Sequence, residues 1–352
     1  MDAIAGTITR AEILEQPALW RTTLERVREF DLRESDEPLP VVITGAGTSA
    51  HAATAIAAAW PGARAIATTD LLIDHDTGFS KGGLLLSIAR SGDSPESVAV
   101  VRRIQERHPE VRHLAITCNP DGRLAHSPGV EVLQLDPRTN DRGLAMTSSF
   151  SNLALAGLAL KHLSQLSSAL PKIASDAQSA ITEFDEQAGR IAALKCSRAV
   201  ILASGSLTGA AREASLKILE LTAGQVPTLT ETFLGLRHGP MSFLRADTLV
   251  LCFLSSDPRV RRFEEDVIKE LHSKSLGRVV AITPSGLEVV APERQIRALA
   301  TDLPDKLRTP FEIVFAQLLA WHMSLQAGLD PDNPSPKGVI NRVVQGFQLF
   351  ED

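Results

Sequence analysis

Short apolar runs alternate with amphipathic stretches along this chain, and the whole alternation is read twice. In the first half VVIT (residues 41–44), RAIAT (64–68), GLLLSIA (83–89), RHLAITC (112–118) and VEVLQL (130–135) have the length and apolar density of buried strands. Between them SAHAATAIAAAW (49–60) is alanine-rich and predicts a helix. SPESVAVVRRIQER (94–107) predicts an amphipathic helix with Ser94 at the N-cap and Pro95 at N1. An apolar helix over 147–166, entered by Thr147, Ser148 and Ser149, closes the half. The second half repeats the order. AVILASG (199–205) answers VVITGAG and leads into a helix over 206–222; VPTLT (226–230) follows. TLVLCFLSS (248–256) answers LLLSIARS, a helix over 257–273 has Pro258 near its start, RVVAITP (278–284) answers RHLAITC, and an apolar helix over 309–327 ends the half. Matching strands stand about 160 residues apart, as a duplicated domain requires. Strands alternating with helices predict an α/β fold with parallel sheets covered on both faces. The connector over 167–195 opens at Pro171 and predicts a linking helix.

Length and composition add limits. The 352 residues suffice for two domains, with 44% hydrophobic and 22% charged residues and a net charge of −6. Acids and bases are mixed and form no basic stripe, which argues against nucleic acid as a partner. Cys118, Cys196 and Cys252 are widely spaced in or beside apolar runs, as expected of buried thiols in a reducing compartment. The opening MDAIAGTITRAEI has no basic region followed by an apolar core, and stretches such as 153–160 are too short to span a bilayer. A cytoplasmic protein without membrane contact is expected. The histidines are scattered without metal-ligand spacing, so no metal is expected, and His51 reads as a partly buried helix histidine.

Two serine-rich loops follow predicted strands and lead into helices: Gly45-Ala46-Gly47-Thr48-Ser49, and Ala89-Arg90-Ser91-Gly92-Asp93-Ser94-Pro95-Glu96-Ser97. The carboxyl edge of an open α/β sheet is where ligands bind, and a helix N-terminus there offers free N–H groups to an anion. Gly47, Thr48, Ser49, Ser91 and Ser94, with Arg90 as a charged donor, thus form a candidate cradle for a phosphate monoester. A structural strand-to-helix turn remains open for the first loop, and an ordinary capping box for Ser94. GAGTSA lacks the third glycine of a dinucleotide fingerprint, and no phosphate-loop GxxxxGK[ST] run exists. No cofactor is expected.

The combination of GAGTS, ARSGDSPES, MTSSF, the Glu213-Lys217-Glu220 helix and Arg237-His238-Gly239-Pro240 resembles the sugar-isomerase (SIS) family, which includes the isomerase domain of glucosamine-6-phosphate synthase. RAEILEQPALW (10–20), arginine in the ARSGDSPES loop where the synthase branch has glutamine, LELTAGQV, and GLDPDNPSPKGVINRVVQGF at the C-terminus make it most similar to the AgaS branch, known as tagatose-6-phosphate ketose/aldose isomerases or galactosamine-6-phosphate deaminases. Ala89 departs from the hydroxyl residue of the synthase branch. The resemblance covers nearly the whole chain. It implies two tandem SIS domains, each a five-stranded parallel sheet flanked by helices in a Rossmann-like three-layer sandwich. The boundaries become a helical segment at 1–37, domains at 38–167 and 196–330 joined by a linker helix at 168–195, and a tail at 331–352 that contributes to the site.

The resemblance also implies roles. Glu220 takes the position of the glutamate that moves a proton between C2 and C1, and His238 that of the ring-opening histidine, supplied across a homodimer interface. Lys337 stands in a tail that carries a functional lysine in the synthase branch; a solvated tail lysine is the other reading. Thr147 and Ser148 stand on the loop that contacts the open-chain sugar, or cap the helix they enter. Lys217 reads as structural. Arg237 either orients its neighbours or is structural, and Glu231 either holds an amino group or caps its loop. The implied activity is conversion of galactosamine 6-phosphate to tagatose 6-phosphate and ammonia. Glucosamine-6-phosphate deamination and simple tagatose-/fructose-6-phosphate isomerisation are alternatives, and a non-catalytic phosphosugar sensor is the alternative of another class. A glutaminase or DNA-binding domain is not expected in addition to two SIS halves.

Overall fold

The runs read as strands from the sequence become strands; the central ones are buried on both faces, and the edge strands at 63–67, 130–134 and 228–231 are only partly covered. In the computed structural model, which describes residues 5–30, 40–74, 78–79, 82–284, 287–344, 346 and 348–350, the first sheet comprises β1 (Val41–Gly45), β2 (Ala63–Ala67), β3 (Gly83–Ala89), β4 (Val111–Thr117) and β5 (Val130–Gln134). The second comprises β6 (Arg198–Ala203), β7 (Thr228–Glu231), β8 (Thr248–Phe253), β9 (Arg278–Thr283) and β10 (Gln295–Arg297). All pairings are parallel, and the orders β2-β1-β3-β4-β5 and β7-β6-β8-β9-β10 correspond strand for strand. The duplication in the sequence is a duplication in space. The boundary expected at residues 37/38 lies outside the described residues.

The helices are α1 (Thr7–Glu29), α2 (Thr48–Ala59), α3 (Thr68–Ile73), α4 (Pro95–Arg107), α5 (Ser148–Ala192), α6 (Thr208–Leu221), α7 (Pro258–Ser273) and α8 (Thr309–Gln326). Alternation along the strands sorts side chains to two faces. Leu86 and Ile88 of β3 join a core that continues through α2, α5, α6 and α8 to Leu249 and Leu251 of β8, so one apolar interior serves both halves. Leu85 and Ala89 face the other way, against Val100, Val101 and Ile104 of α4, and Val250 and Cys252 pack likewise against Val267 and Leu271 of α7. Each large apolar side chain so buried contributes roughly 1.5–3 kcal/mol. At the centre α2 crosses α6 closely. A Cβ on Gly209 would stand 2.9 Å from the Ala55 Cβ, so only glycine permits this approach.

The long helix departs from expectation at its break. α5 continues through Pro171, and its non-helical residue is His162 (φ −125°, ψ 28°), whose Nε2 lies 2.8 Å from the Ala59 carbonyl oxygen. The two ends of the chain meet. Gly6 N–H donates to Asp330 Oδ1 (2.9 Å), and the N–H groups of Ile8 and Thr9 donate to the Asp332 carboxylate (3.1 and 2.7 Å). The free donors at the start of α1 are thus satisfied by side chains from the far terminus. Leu144 N–H donates to the Asp332 carbonyl oxygen at 3.2 Å, tying in a third segment. Among the described residues no helix is long and apolar enough to cross a membrane.

Candidate active site

β1 and β3 are neighbours, but their following connections run to opposite sides of the sheet, which opens a crevice at their carboxyl ends. A cavity of about 250 Å³ occupies it, walled by the 46–49 and 88–97 loops, Leu144, Met146, Glu220 and residues 340–344. Gly45 allows α2 to begin there, because a Cβ would fall 2.5 Å from the Ser49 carbonyl carbon. Gly47, at φ +55°, turns the chain into the helix. Gly47, Thr48 and Ser49 therefore reach the cavity at one helix entrance, and Ser91, Ser94 and Ser97 reach it at the entrance of α4. Ser94 is the N-cap residue of α4, with Pro95 at N1, but makes no side-chain capping bond.

Arg90 is 6% exposed and also lines the cavity. Its guanidinium donates to the carbonyl oxygens of Leu144 (3.1 Å) and Arg342 (2.8 Å). Burial lowers its pKa from the ordinary arginine value, Arg342 adds to that, and Asp141 opposes it. A cation so buried, bonded to neutral carbonyls and facing a void, suits an anionic ligand.

The second half supplies the opposite wall. α6 places Glu213, Lys217 and Glu220 on the side that meets α2. Lys217 is fully buried; its Nζ lies 2.5 Å from Glu220 Oε2 and 3.4 Å from Glu213 Oε1, and donates to Thr48 Oγ1 at 3.1 Å. Thr48 Oγ1 donates to Glu213 Oε1 at 3.2 Å, and His51 Nδ1 lies 2.9 Å from Glu213 Oε2. Burial alone would lower the Lys217 pKa, but the two carboxylates outweigh it and raise the ammonium above the ordinary lysine value. Glu220 thus has a fixed cation on one side and the serine cavity on the other. A second, largely apolar cavity of about 600 Å³, lined by Leu216, Leu219, Pro334, Lys337 and Val339, also reaches Glu220.

The sequence candidates are not all brought together. Gly47, Thr48, Ser49, Arg90, Ser91, Ser94 and Glu220 line one cavity. Lys337 lines the neighbouring one; from its tail it is Asn341 and Arg342 that face the serines. Arg342 donates to Asn140 Oδ1 at 2.8 Å and to the Asp141 carbonyl oxygen. Thr147 and Ser148 are fully buried and do not line the cavity, which fits the other reading of them, a helix entrance, better than contact with the sugar. The buried Asp141 carboxylate takes their donors instead: Thr147 N–H (2.8 Å), Thr147 Oγ1 (3.1 Å), Ser148 N–H (3.0 Å) and Ser149 N–H (2.9 Å). The helix entrance is thus filled from within.

His238 is exposed, follows the 3₁₀ turn Gly235–Arg237, and lines none of the cavities described. Arg237 pairs with Asp266 (2.7 Å) and Glu270 (2.6 Å), and Glu231 accepts from Thr232 N–H at 2.7 Å, so both side chains brace this loop. Among the described residues no group of three or more His, Cys, Asp or Glu is placed to hold a metal ion.

No family model matches the chain. Comparison with individual proteins gives matches along nearly its full length. The chain is 39% identical to an AgaS protein of Streptomyces coelicolor, over 97% of this chain and 94% of that one. It is 36% identical to the D-galactosamine-6-phosphate deaminase AgaS of Escherichia coli O157:H7, over 98% and 96%. Among solved structures, tagatose-6-phosphate ketose/aldose isomerase from Escherichia coli superimposes with a TM-score of 0.80 at 34% identity, over 93% of this chain and 95% of that one.

Proposed function

The chain belongs to the AgaS family of sugar-isomerase proteins, and on that premise we propose that it is a phosphosugar deaminase/isomerase, converting galactosamine 6-phosphate to tagatose 6-phosphate and ammonia. One observation carries the proposal: Glu220, backed by a buried ammonium group, stands on the wall of the cavity that Ser49, Ser91, Ser94 and Arg90 line.

The 6-phosphate lies among those serines, at two helix entrances and beside Arg90. Glu220 takes the C2 proton of the open-chain amino sugar and returns a proton to C1, leaving an imine at C2. Water adds at C2 and ammonia leaves. Lys217 holds the Glu220 carboxylate in place and offsets its charge. Opening the ring needs a second proton carrier, for which the His238 imidazole is suited because one ring nitrogen can donate while the other accepts. His238 is away from the cavity of its own chain, which supports its delivery from a second copy in a homodimer. We place this enzyme in the cytoplasm.

The test is a panel of galactosamine, glucosamine, tagatose and fructose 6-phosphates, assayed for ammonia and for ketose or aldose formation. The expected outcome is ammonia with tagatose 6-phosphate from the galacto substrate. Ammonia from the gluco substrate alone, or interconversion without ammonia, would reassign the substrate. Glu220→Gln is expected to lower kcat by at least 10²-fold, the scale of a lost general base, while inorganic phosphate still binds. Ligand binding without turnover anywhere in the panel would make the protein a sensor.

A further inference from the structure

Because the second sheet repeats the strand order of the first, its carboxyl edge contains a counterpart of the serine cradle. β8 stands where β3 stands, and the loop over 254–257 corresponds to the one over 90–94. It is again serine-lined and again enters a helix with proline at N1. Here its donors are already engaged. Ser255 Oγ donates to Asp305 Oδ2 at 2.5 Å, and Ser256 donates to Asp305 Oδ1 through its N–H at 2.9 Å and its hydroxyl at 2.7 Å. Arg308, 1% exposed, donates to the same Oδ1 at 2.7 Å and to the Leu254 carbonyl oxygen at 3.1 Å.

The arginine stands in a different loop from that of the first half, while the loop before the closing helix holds an acid in both, Asp141 and Asp305. There Arg90, on the cradle loop, donates to a carbonyl in the loop before α5. Here the cradle loop has no arginine, and the loop before α8 supplies both Arg308 and an acid. Asp257 occupies the N-cap position that Ser94 holds in the first half, and the buried Glu264 accepts Ser255 N–H at 2.8 Å. Burial would raise the Asp305 pKa, but the serine donors and Arg308 outweigh it, so the group lies below the ordinary carboxylate value.

We infer that the second half holds a carboxylate-binding cradle whose ligand is the chain's own Asp305, so that each chain takes one phosphosugar and not two. A phosphate approaching Ser255 and Ser256 would meet Asp305 and Asp257 at contact distance, in a loop whose hydroxyls are spent. The adjoining cleft of about 430 Å³ is lined by Ser204, Gly205, Thr232, Asp257, Arg259 and Phe263, and its one guanidinium, Arg259, is paired with Asp257 at 2.9 Å. The count of one sugar rests on the function proposed above; the Asp305 cradle does not.

Chemical rescue tests it without reference to activity. Asp305→Ala is expected to melt several degrees below the parent, and sodium formate to recover part of the loss saturably. Sodium chloride at equal ionic strength should recover none, and the parent should respond to neither. A parent-like midpoint in the variant, or equal recovery in formate and chloride, would overturn the inference. Calorimetry on the unaltered protein with inorganic phosphate gives a reading that needs no variant. One phosphate per chain is expected, and two would overturn the inference. None would remove the first-half phosphate site and leave the Asp305 cradle to the formate experiment.

Discussion

Lys217 decides more than its place in the sequence suggests. Its ammonium is fully buried and held between Glu213 and Glu220, with Thr48 as a third contact. Replacing it by methionine keeps the volume and leaves two carboxylates facing each other with no cation between them. Lys217→Met is expected to destabilise the protein by about 3–5 kcal/mol, as breaking a buried pair does, and to lower kcat. Denaturant titration beside steady-state kinetics would check it, and an unchanged kcat would confine Lys217 to the core. The helix spacing makes the pairs Glu213–Lys217 and Lys217–Glu220 legible. It does not reveal Thr48, far away in the chain, against the same ammonium, and so Lys217 reads as structural from sequence alone. The same holds for Thr147 and Ser148. Their helix entrance is legible, but the carboxylate that fills it comes from a loop whose path no local pattern specifies.

At the level of elements, the candidate site is built on a contact between α2 of one half and α6 of the other. Gly209 sets their separation, since any side chain there meets Ala55. Gly209→Leu is expected to force the helices apart, costing about 1–3 kcal/mol from overpacking, and to move Glu220 away from Ser49. The distinguishing result is a kcat/KM loss in a variant whose melting midpoint remains well above the assay temperature. The succession of strands along the chain, the helix entrances and the serine loops follow from hydrophobic period and from proline and glycine placement, and these were readable; the order of strands within each sheet was not read from the sequence. The short strand β10 and helix α3 were not, because neither is long enough to show a period. The break in α5 was expected at Pro171 and lies at His162, where the ring is anchored to Ala59 of another helix. Proline marks candidate breaks, but tertiary contacts choose among them.

For the whole molecule, the proposed homodimer makes a separable claim about shared sites. If His238 of the partner subunit completes each cavity, Glu220→Gln and His238→Ala inactivate opposite contributions to it. Co-expressed, the two inactive variants should form mixed dimers containing one intact site, giving about a quarter of the parent activity when assembly is random. Activity no higher than that of either variant alone would mean that each chain uses its own histidine or none. Lys337 and Arg342 show what depends on this scale. Both belong to one tail that a sequence motif locates, yet which of them meets the serines depends on how the last residues fold back across the protein.

Asp332 clasps the opening turn of the polypeptide with its carboxylate and Leu144 with its carbonyl, and the segment that roofs the serines departs from it. First turn and last stretch therefore share one clasp. Slack introduced at that first turn, by trimming or by a rigid fusion, would pass straight to that roof and make the proposed substrate chamber leakier to water without touching a single residue that lines it.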